Sequence, residues 1–200
     1  MNIGIVSGSH RHNSESDRIS AFVAKELSLQ GETTHIISLA GNPFPLWDEE
    51  RWQESPRWDT AWGPTSATLK DSEAFVFVVP EWGGMVPPGL KNFFLLCQSG
   101  ELAHKPALII SLSSGINGAY PIAELRASSY KNTRICYLPE QVIVRSCQKM
   151  LLDEETSNHG DSEIRERIVY SLRLLREYAK ALEWVRTSGV VDLVRFPFGM

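Results

Sequence analysis

The sequence predicts an α/β fold in three layers, a five-stranded parallel sheet covered by helices on both faces. Two observations carry it. Short apolar, β-compatible runs alternate along the chain with longer stretches whose apolar residues recur at helical spacing. The clearest runs are also apolar throughout, as strands read when both faces of a sheet are buried. With 200 residues and 42% hydrophobic content, the chain has the size of one domain with a substantial core. It divides into a single unit over 1–200, with a Trp- and Pro-rich insert at 41–64 and a carboxy-terminal helix and tail at 161–200.

The first strand comes from the stretch NIGIVSGSHRHNSESDR, where Ile3, Ile5 and Val6 run unbroken to Gly8. A polar loop follows, and Ile19, Phe22, Val23 and Leu27 then recur at helical spacing. A loop between a strand end and a helix start suits a phosphate, because free N–H groups and the helix dipole converge there. Ser9, Ser14 and Ser16 add hydroxyls, and Arg11 adds a planar cationic fork. The plainer alternative is that Ser14 or Ser16 only caps the helix, with Ser14 and Asp17 forming a capping box. Neither G-x-x-x-x-G-K-[ST] nor G-x-G-x-x-G is present.

After Gly31, residues 34–39 (THIISL) read as a second strand, its imperfect alternation placing it nearer an edge. Residues 41–64 read as irregular, since Pro43, Pro45, Pro56 and Pro64 interrupt any continuous helix. Four of the six tryptophans, Trp47, Trp52, Trp58 and Trp62, fall in this insert. They either fold back on the core or form a lid or subunit interface. A short helix over 65–71 leads to AFVFVVP, the clearest strand, placed at the sheet centre.

That strand ends in Pro80-Glu81-Trp82-Gly83-Gly84, a stiff turn that serves either as a tight βα connection or as a wall reading the edge of a flat heterocycle. Pro88 can open the next helix, with Leu90, Phe93, Phe94 and Cys97 inward. Residues 107–112 (ALIISL) form a fourth strand, closed by the small-residue loop Ser113-Ser114-Gly115-Ile116-Asn117-Gly118-Ala119. Ala123, Leu125 and Arg126 continue as a helix, and a fifth strand over 135–138 and 142–144 is broken around Pro139. Residues 164–185 make the longest amphipathic helix. The charges at 153–155 and 163–166 read as a solvated loop and helix face.

Composition narrows the function classes. A net charge of -4 gives no general attraction to nucleic acid or acidic membranes, and no run approaches the ~20 apolar residues of a membrane span. Cys97, Cys136 and Cys147 are odd in number and lack C-x-x-C spacing, which argues against a disulfide framework or zinc site. His10 and His12 have no acidic or Cys cluster beside them, so no metal is expected. The start of the chain enters a strand without a signal-like segment, and a reducing cytoplasm is the expected setting.

Right-handed crossovers bring the carboxyl ends of parallel strands to one edge, where ligands of such sheets bind. The three unusual loops all follow strands and so share that edge, as a phosphate cradle beside two walls for a planar ring. Their order and spacing resemble the NADPH-dependent FMN reductase family of flavodoxin-like proteins. Gly8-Ser9-His10-Arg11-His12-Asn13-Ser14 fills the family pattern G-S-x-R-x-x-S, and Ser16 stands where a further Ser or Asn is common. Pro80-Glu81-Trp82-Gly83-Gly84 through Gly89-Leu90-Lys91-Asn92 resembles P-E-Y-N-G-S-x-P-G-x-L-K-N, with one extra residue and Trp82-Gly83 in place of Tyr-Asn. The Ser113 loop with Leu125-Arg126 resembles the third, Gly-rich motif, and the likeness spans roughly residues 1–145.

The resemblance implies strand order 2-1-3-4-5 and non-covalently bound FMN, its phosphate held by Ser9, Arg11, Ser14 and Ser16. It places the ring against Pro80, Glu81, Trp82, Gly83 and Gly84, with Ser113, Ser114 and Gly115 on the other side. Backbone N–H groups of Gly83, Gly84 or Gly115 would face negative charge on the reduced ring. It further implies hydride transfer from NADPH or NADH through flavin N5, without a catalytic side chain, to a quinone, flavin, azo or nitro compound or metal oxyanion. A homodimer or homotetramer is the implied assembly. The competing readings are an FMN-binding electron carrier or regulatory module without nicotinamide turnover, and a flavin-free interaction domain.

Overall fold

Alternation along the central strand builds two cores. In Ala74–Pro80 (β3), Ala74, Val76 and Val78 face one side of the sheet, whereas Phe75, Phe77 and Val79 face the other. A computed structural model of the chain describes residues 1–98, 100–152, 156 and 158–199. Asn2–Ser7 (β1), Thr33–Ser38 (β2), β3, Pro106–Leu112 (β4) and Cys136–Val144 (β5) form one sheet in the order β2-β1-β3-β4-β5. Every neighbouring pair is parallel, and β3 is central, as the sequence predicts. The edge position of β2 leaves it largely exposed.

Glu15–Leu29 (α1) and His159–Thr187 (α6) cover one face with Ile19, Val23, Leu27, Ile168, Leu172 and Leu175. Pro56–Asp71 (α2), Pro88–Leu96 (α3) and Tyr120–Ser128 (α4) cover the other, and the short Tyr130–Thr133 (α5) follows α4. In α3, Leu90, Phe93 and Phe94 turn inward as their spacing predicts. Glu163 and Glu166 lie on the exposed face of α6, while the charges at 153–155 lie outside the described residues.

The structure corrects two readings. Residues 56–64 are not irregular but are the first half of α2, with Pro56 at its first turn and Pro64 in its interior. Pro56 sits where a helix has no use for the N–H it lacks. Pro64 lies on the exposed side with Thr60, the residue whose carbonyl loses its usual helical donor. The stripe Trp58, Trp62, Ser66, Leu69 is buried, and packing of two tryptophans outweighs the lost hydrogen bond. The irregular stretch is therefore 41–55, containing one 3-10 turn at Glu49–Trp52. Likewise β5 is continuous through Pro139, because a register shift against β4 places that residue in a bulge on an edge strand. Arg126 donates to the Leu138 carbonyl there.

Candidate functional site

The loop from Gly8 to Ser14 is anchored at its base by the Gly8 N–H, which donates to the Val78 carbonyl at 2.8 Å. Ser14 is the N-cap of α1: its Oγ accepts from the Asp17 N–H at 3.2 Å and donates to Asp17 Oδ2 at 2.8 Å. The capping reading of Ser14 is thus realised, and its single hydrogen points at Asp17. Ser7 and Ser38 also donate to Asp17, at 2.7 and 2.8 Å. Burial by itself would raise the Asp17 pKa, but hydrogen bonds from Ser7, Ser38 and Ser14 outweigh it and hold the carboxyl below its ordinary value.

A pH dependence follows with a definite sign. A carboxyl lowered on folding adds stability that is complete above its unfolded pKa and is lost as pH falls through the folded one. Asp17→Asn is expected to destabilise the fold by about 1–2 kcal/mol at pH 7. The gap to wild type should shrink once pH drops below about 4. Urea unfolding of both proteins at pH 7 and pH 3.5 checks it, and a gap of unchanged size would contradict the assignment.

What remains around the start of α1 is a set of donors. Ser9 is buried, and its Oγ accepts from the Arg11 N–H at 3.2 Å, which leaves its own hydrogen available. Ser16 is 1% exposed, and its Oγ has no hydrogen-bond partner among the described residues. Arg11 is exposed, and among the described residues its guanidinium has no ionic partner. Glu15 is occupied by Arg18, whose guanidinium also reaches the carbonyls of Leu151, Cys147 and Met150. The Ser16 hydroxyl, without a partner among the described residues, the Ser9 hydroxyl with its hydrogen available, a cationic fork and a helix N-terminus are the donor chemistry a phosphate requires.

Beyond β3, Trp82 and Met85 exchange both backbone hydrogen bonds at 3.0 Å. Gly83 and Gly84 between them have φ of 57° and 77°, the paired positive angles of a type I′ turn. Their own N–H groups carry no hydrogen bond among the described residues, and a Cβ on Gly84 would meet nothing within 4 Å. Pro80 is half-buried at the strand end. In the third loop, Ser113 is buried, and its Oγ accepts from the Gly115 N–H at 3.2 Å, so that N–H is directed at protein. Ser114 and Gly115 are exposed.

Two contacts join the three loops. His10 meets Trp82 edge to face with ring centroids 4.5 Å apart. The Glu81 carboxylate accepts the Gly118 N–H at 2.8 Å. Gly118 itself has φ of 109°, and a Cβ there would lie 2.5 Å from Ile143 Cγ2. Gly118→Ala is therefore expected to destabilise the protein by about 2–4 kcal/mol through strain and overlap combined. Chemical denaturation measures this, and a cost under about 0.5 kcal/mol would show that the loop relaxes freely.

Three supporting residues escaped the sequence reading. Asp17 was visible only as half of a capping box, not as the hub of three hydroxyls. Glu124 accepts the Val86 N–H at 2.7 Å and pairs with Lys91, tying the segment after Gly84 to α3 and α4. Asn92 accepts the Trp47 N–H and donates to the Pro45 carbonyl, both at 2.8 Å, clamping the irregular stretch. Their signal lay in pairs distant in sequence. His12 is exposed beside Gly41, and among the described residues no group of three His, Cys, Asp or Glu is gathered as a metal site.

A cavity of about 360 Å3 adjoins the site beside His10, between Asn42, Phe44 and Pro88. A larger one, about 690 Å3, lies elsewhere, beyond α3. The residues present fit FMN: donors stand where its phosphate would bind, and glycine turns with an aromatic face stand where a flat ring would lie.

Comparison with known proteins agrees. No curated protein sequence matches the chain. Among solved structures, it is similar to FerB, a flavoenzyme NAD(P)H:(acceptor) oxidoreductase from Paracoccus denitrificans, at TM-score 0.71 and 15% identity, over 90% of this chain and 97% of that one. An oxidoreductase from Corynebacterium diphtheriae matches at TM-score 0.61 and 16% identity, over 90% and 96% of the two chains. An azoreductase from Bacillus anthracis str. Sterne matches at TM-score 0.55 and 12% identity, over 91% and 98%. These likenesses establish the shared fold. The family model for NADPH-dependent FMN reductases matches residues 1–149, the stretch that contains all three loops. The chain thus belongs to the NADPH-dependent FMN reductase family, enzymes that use FMN with NAD(P)H as electron donor.

Proposed function

We propose that the three loops form the FMN site of an NAD(P)H-dependent oxidoreductase acting on a small acceptor: a quinone, free flavin, azo or nitro compound, or metal oxyanion. The observation that carries the site is the donor set at the start of α1, where among the described residues Ser16 Oγ is buried without a hydrogen-bond partner and the Arg11 guanidinium has no ionic partner. Arg11, Ser9 and Ser16 hold the phosphate, and Ser14 orders the helix start from which the N–H groups emerge. Pro80, Glu81, Trp82, Gly83 and Gly84 form one wall, with Ser113, Ser114 and Gly115 opposite. Bound flavin supplies two-electron transfer between the nicotinamide and the acceptor. The N–H groups of Gly83 and Gly84, without a hydrogen bond among the described residues, would face negative charge on the ring. The acceptor class is supported by the names of structural neighbours, an NAD(P)H:(acceptor) oxidoreductase and an azoreductase.

A cytoplasmic setting and a homodimer or homotetramer belong to the same proposal. The first is supported by three unpaired cysteines. Among the described residues, no helix is long and apolar enough to cross a membrane. The test is the visible spectrum after incubation with FMN and gel filtration, followed by NADPH without oxygen and an acceptor screen. Retained flavin that bleaches, with turnover on one acceptor class, is the expected result. Flavin lost on the column, or flavin that stays oxidised, would overturn the proposal.

A further inference from the structure

A cavity of about 690 Å3 lies between α3, the α4–α5 corner and the carboxy-terminal tail, and none of the residues assigned above to FMN lines it. Its size falls within the range of small-molecule sites. Four rings, Trp47, Trp52, Phe94 and Phe198, line it together with the aliphatic Leu95 and Leu125. Three cations line it, Arg51, Lys91 and Lys131, and no carboxylate does. Arg51 stands 3.7 Å from Glu101, and Lys91 is paired with Glu124, whereas Lys131 has no ionic partner among the described residues. A concave surface with one sign of charge concentrates the opposite sign, and aromatic walls favour a flat ligand.

The outer wall is fastened in place. Arg134 donates to the carbonyls of Phe196 and Pro197, which sets Pro197 and Phe198 against the cavity. On the inner side, Lys91 leads back to the flavin edge. Its partner Glu124 uses the other oxygen to hold the Val86 N–H at 2.7 Å, just after the Gly83-Gly84 turn. An anion that draws on Lys91 alters the charge balance at Glu124 and so the hold on that turn.

We propose that this cavity is a second ligand site, for a small flat aromatic anion such as an aryl carboxylate, and that its occupancy is felt at the flavin edge through Lys91 and Glu124. The binding claim stands apart from the FMN assignment, and the coupling claim rests on it.

The test titrates naphthalene-2-carboxylate, and naphthalene-2-carboxamide as its neutral counterpart, into FMN-loaded protein by calorimetry. Saturable 1:1 binding is expected, with the carboxylate preferred about fivefold and that preference lost in Lys131→Glu. Lys131 is exposed, so this variant keeps the fold. With saturating carboxylate, the FMN dissociation constant should shift about fivefold in wild type and stay constant in Glu124→Gln. Equal binding of acid and amide, or no effect of Lys131→Glu, would overturn the anion site. Sedimentation showing that dimerisation abolishes probe binding would also overturn it, in favour of a second copy. An unmoved FMN constant would overturn the coupling alone. Repeating the titration on protein without flavin keeps the binding result readable even if the FMN assignment fails.

Discussion

Replacing Trp62 by Ala is expected to destabilise the protein by about 3–5 kcal/mol, the range for deleting a buried Trp or Phe side chain. Trp62 is 1% exposed and packs edge to face on Phe44 and Phe93, with centroids 5.0 and 5.4 Å away. Its indole N–H donates to Glu101 Oε1 at 2.9 Å. Glu101 is itself 1% exposed, so the substitution opens a cavity and also strips a donor from a buried carboxylate. The Gln98 N–H at 2.7 Å remains on the other oxygen, which keeps that carboxylate from being abandoned altogether. Trp52, 66% exposed, provides the internal contrast: Trp52→Ala should stay within about 0.5 kcal/mol. Urea unfolding of the two variants side by side decides whether the tryptophans of this region serve the core or the surface. A loss below about 1 kcal/mol for Trp62→Ala would contradict the packing described here.

The second large effect concerns ligand binding. Arg11→Ala should weaken FMN about 10- to 100-fold, the equivalent of one charge-assisted hydrogen-bonded contact. Riboflavin, which lacks the phosphate, should bind both proteins alike. Arg11→Lys should recover only part of the loss, since an ammonium keeps the charge but not the planar fork. Fluorescence titration with the two flavins reads this directly. Equal losses for FMN and riboflavin would move Arg11 away from the phosphate and onto the ring or the nicotinamide. Because Arg11 is exposed and has no ionic partner among the described residues, its removal leaves no buried group unsatisfied. Folding stability should therefore change little while binding changes strongly.

How much was legible beforehand varied with the range of the interaction. The strands of the centre were plain, because a run such as AFVFVVP admits few alternatives. The loop order identified the family, since three motifs at matching spacing constrain one another. By contrast, 56–64 was misread as irregular because Pro56 and Pro64 are strong local signals. The stripe of Trp58, Trp62 and Leu69 that overrides them matters only once a core exists to receive it. The same logic hid Glu124 and Asn92. Each earns its role from a backbone group 38 or 45 residues away, and no local pattern marks such a pair.

By itself, then, the sequence determined the layered α/β class, the central place of β3 and the edge where three unusual loops meet, all through local periodicity and turn chemistry. Only the tertiary structure decided which donors stay available there. Ser14 turns its hydrogen to Asp17, the Gly115 N–H goes to Ser113, and Ser16 and Arg11 are left without protein acceptors among the described residues. Hydrogen-bond partners are settled by distance in space, and that distance is a property of the packed chain.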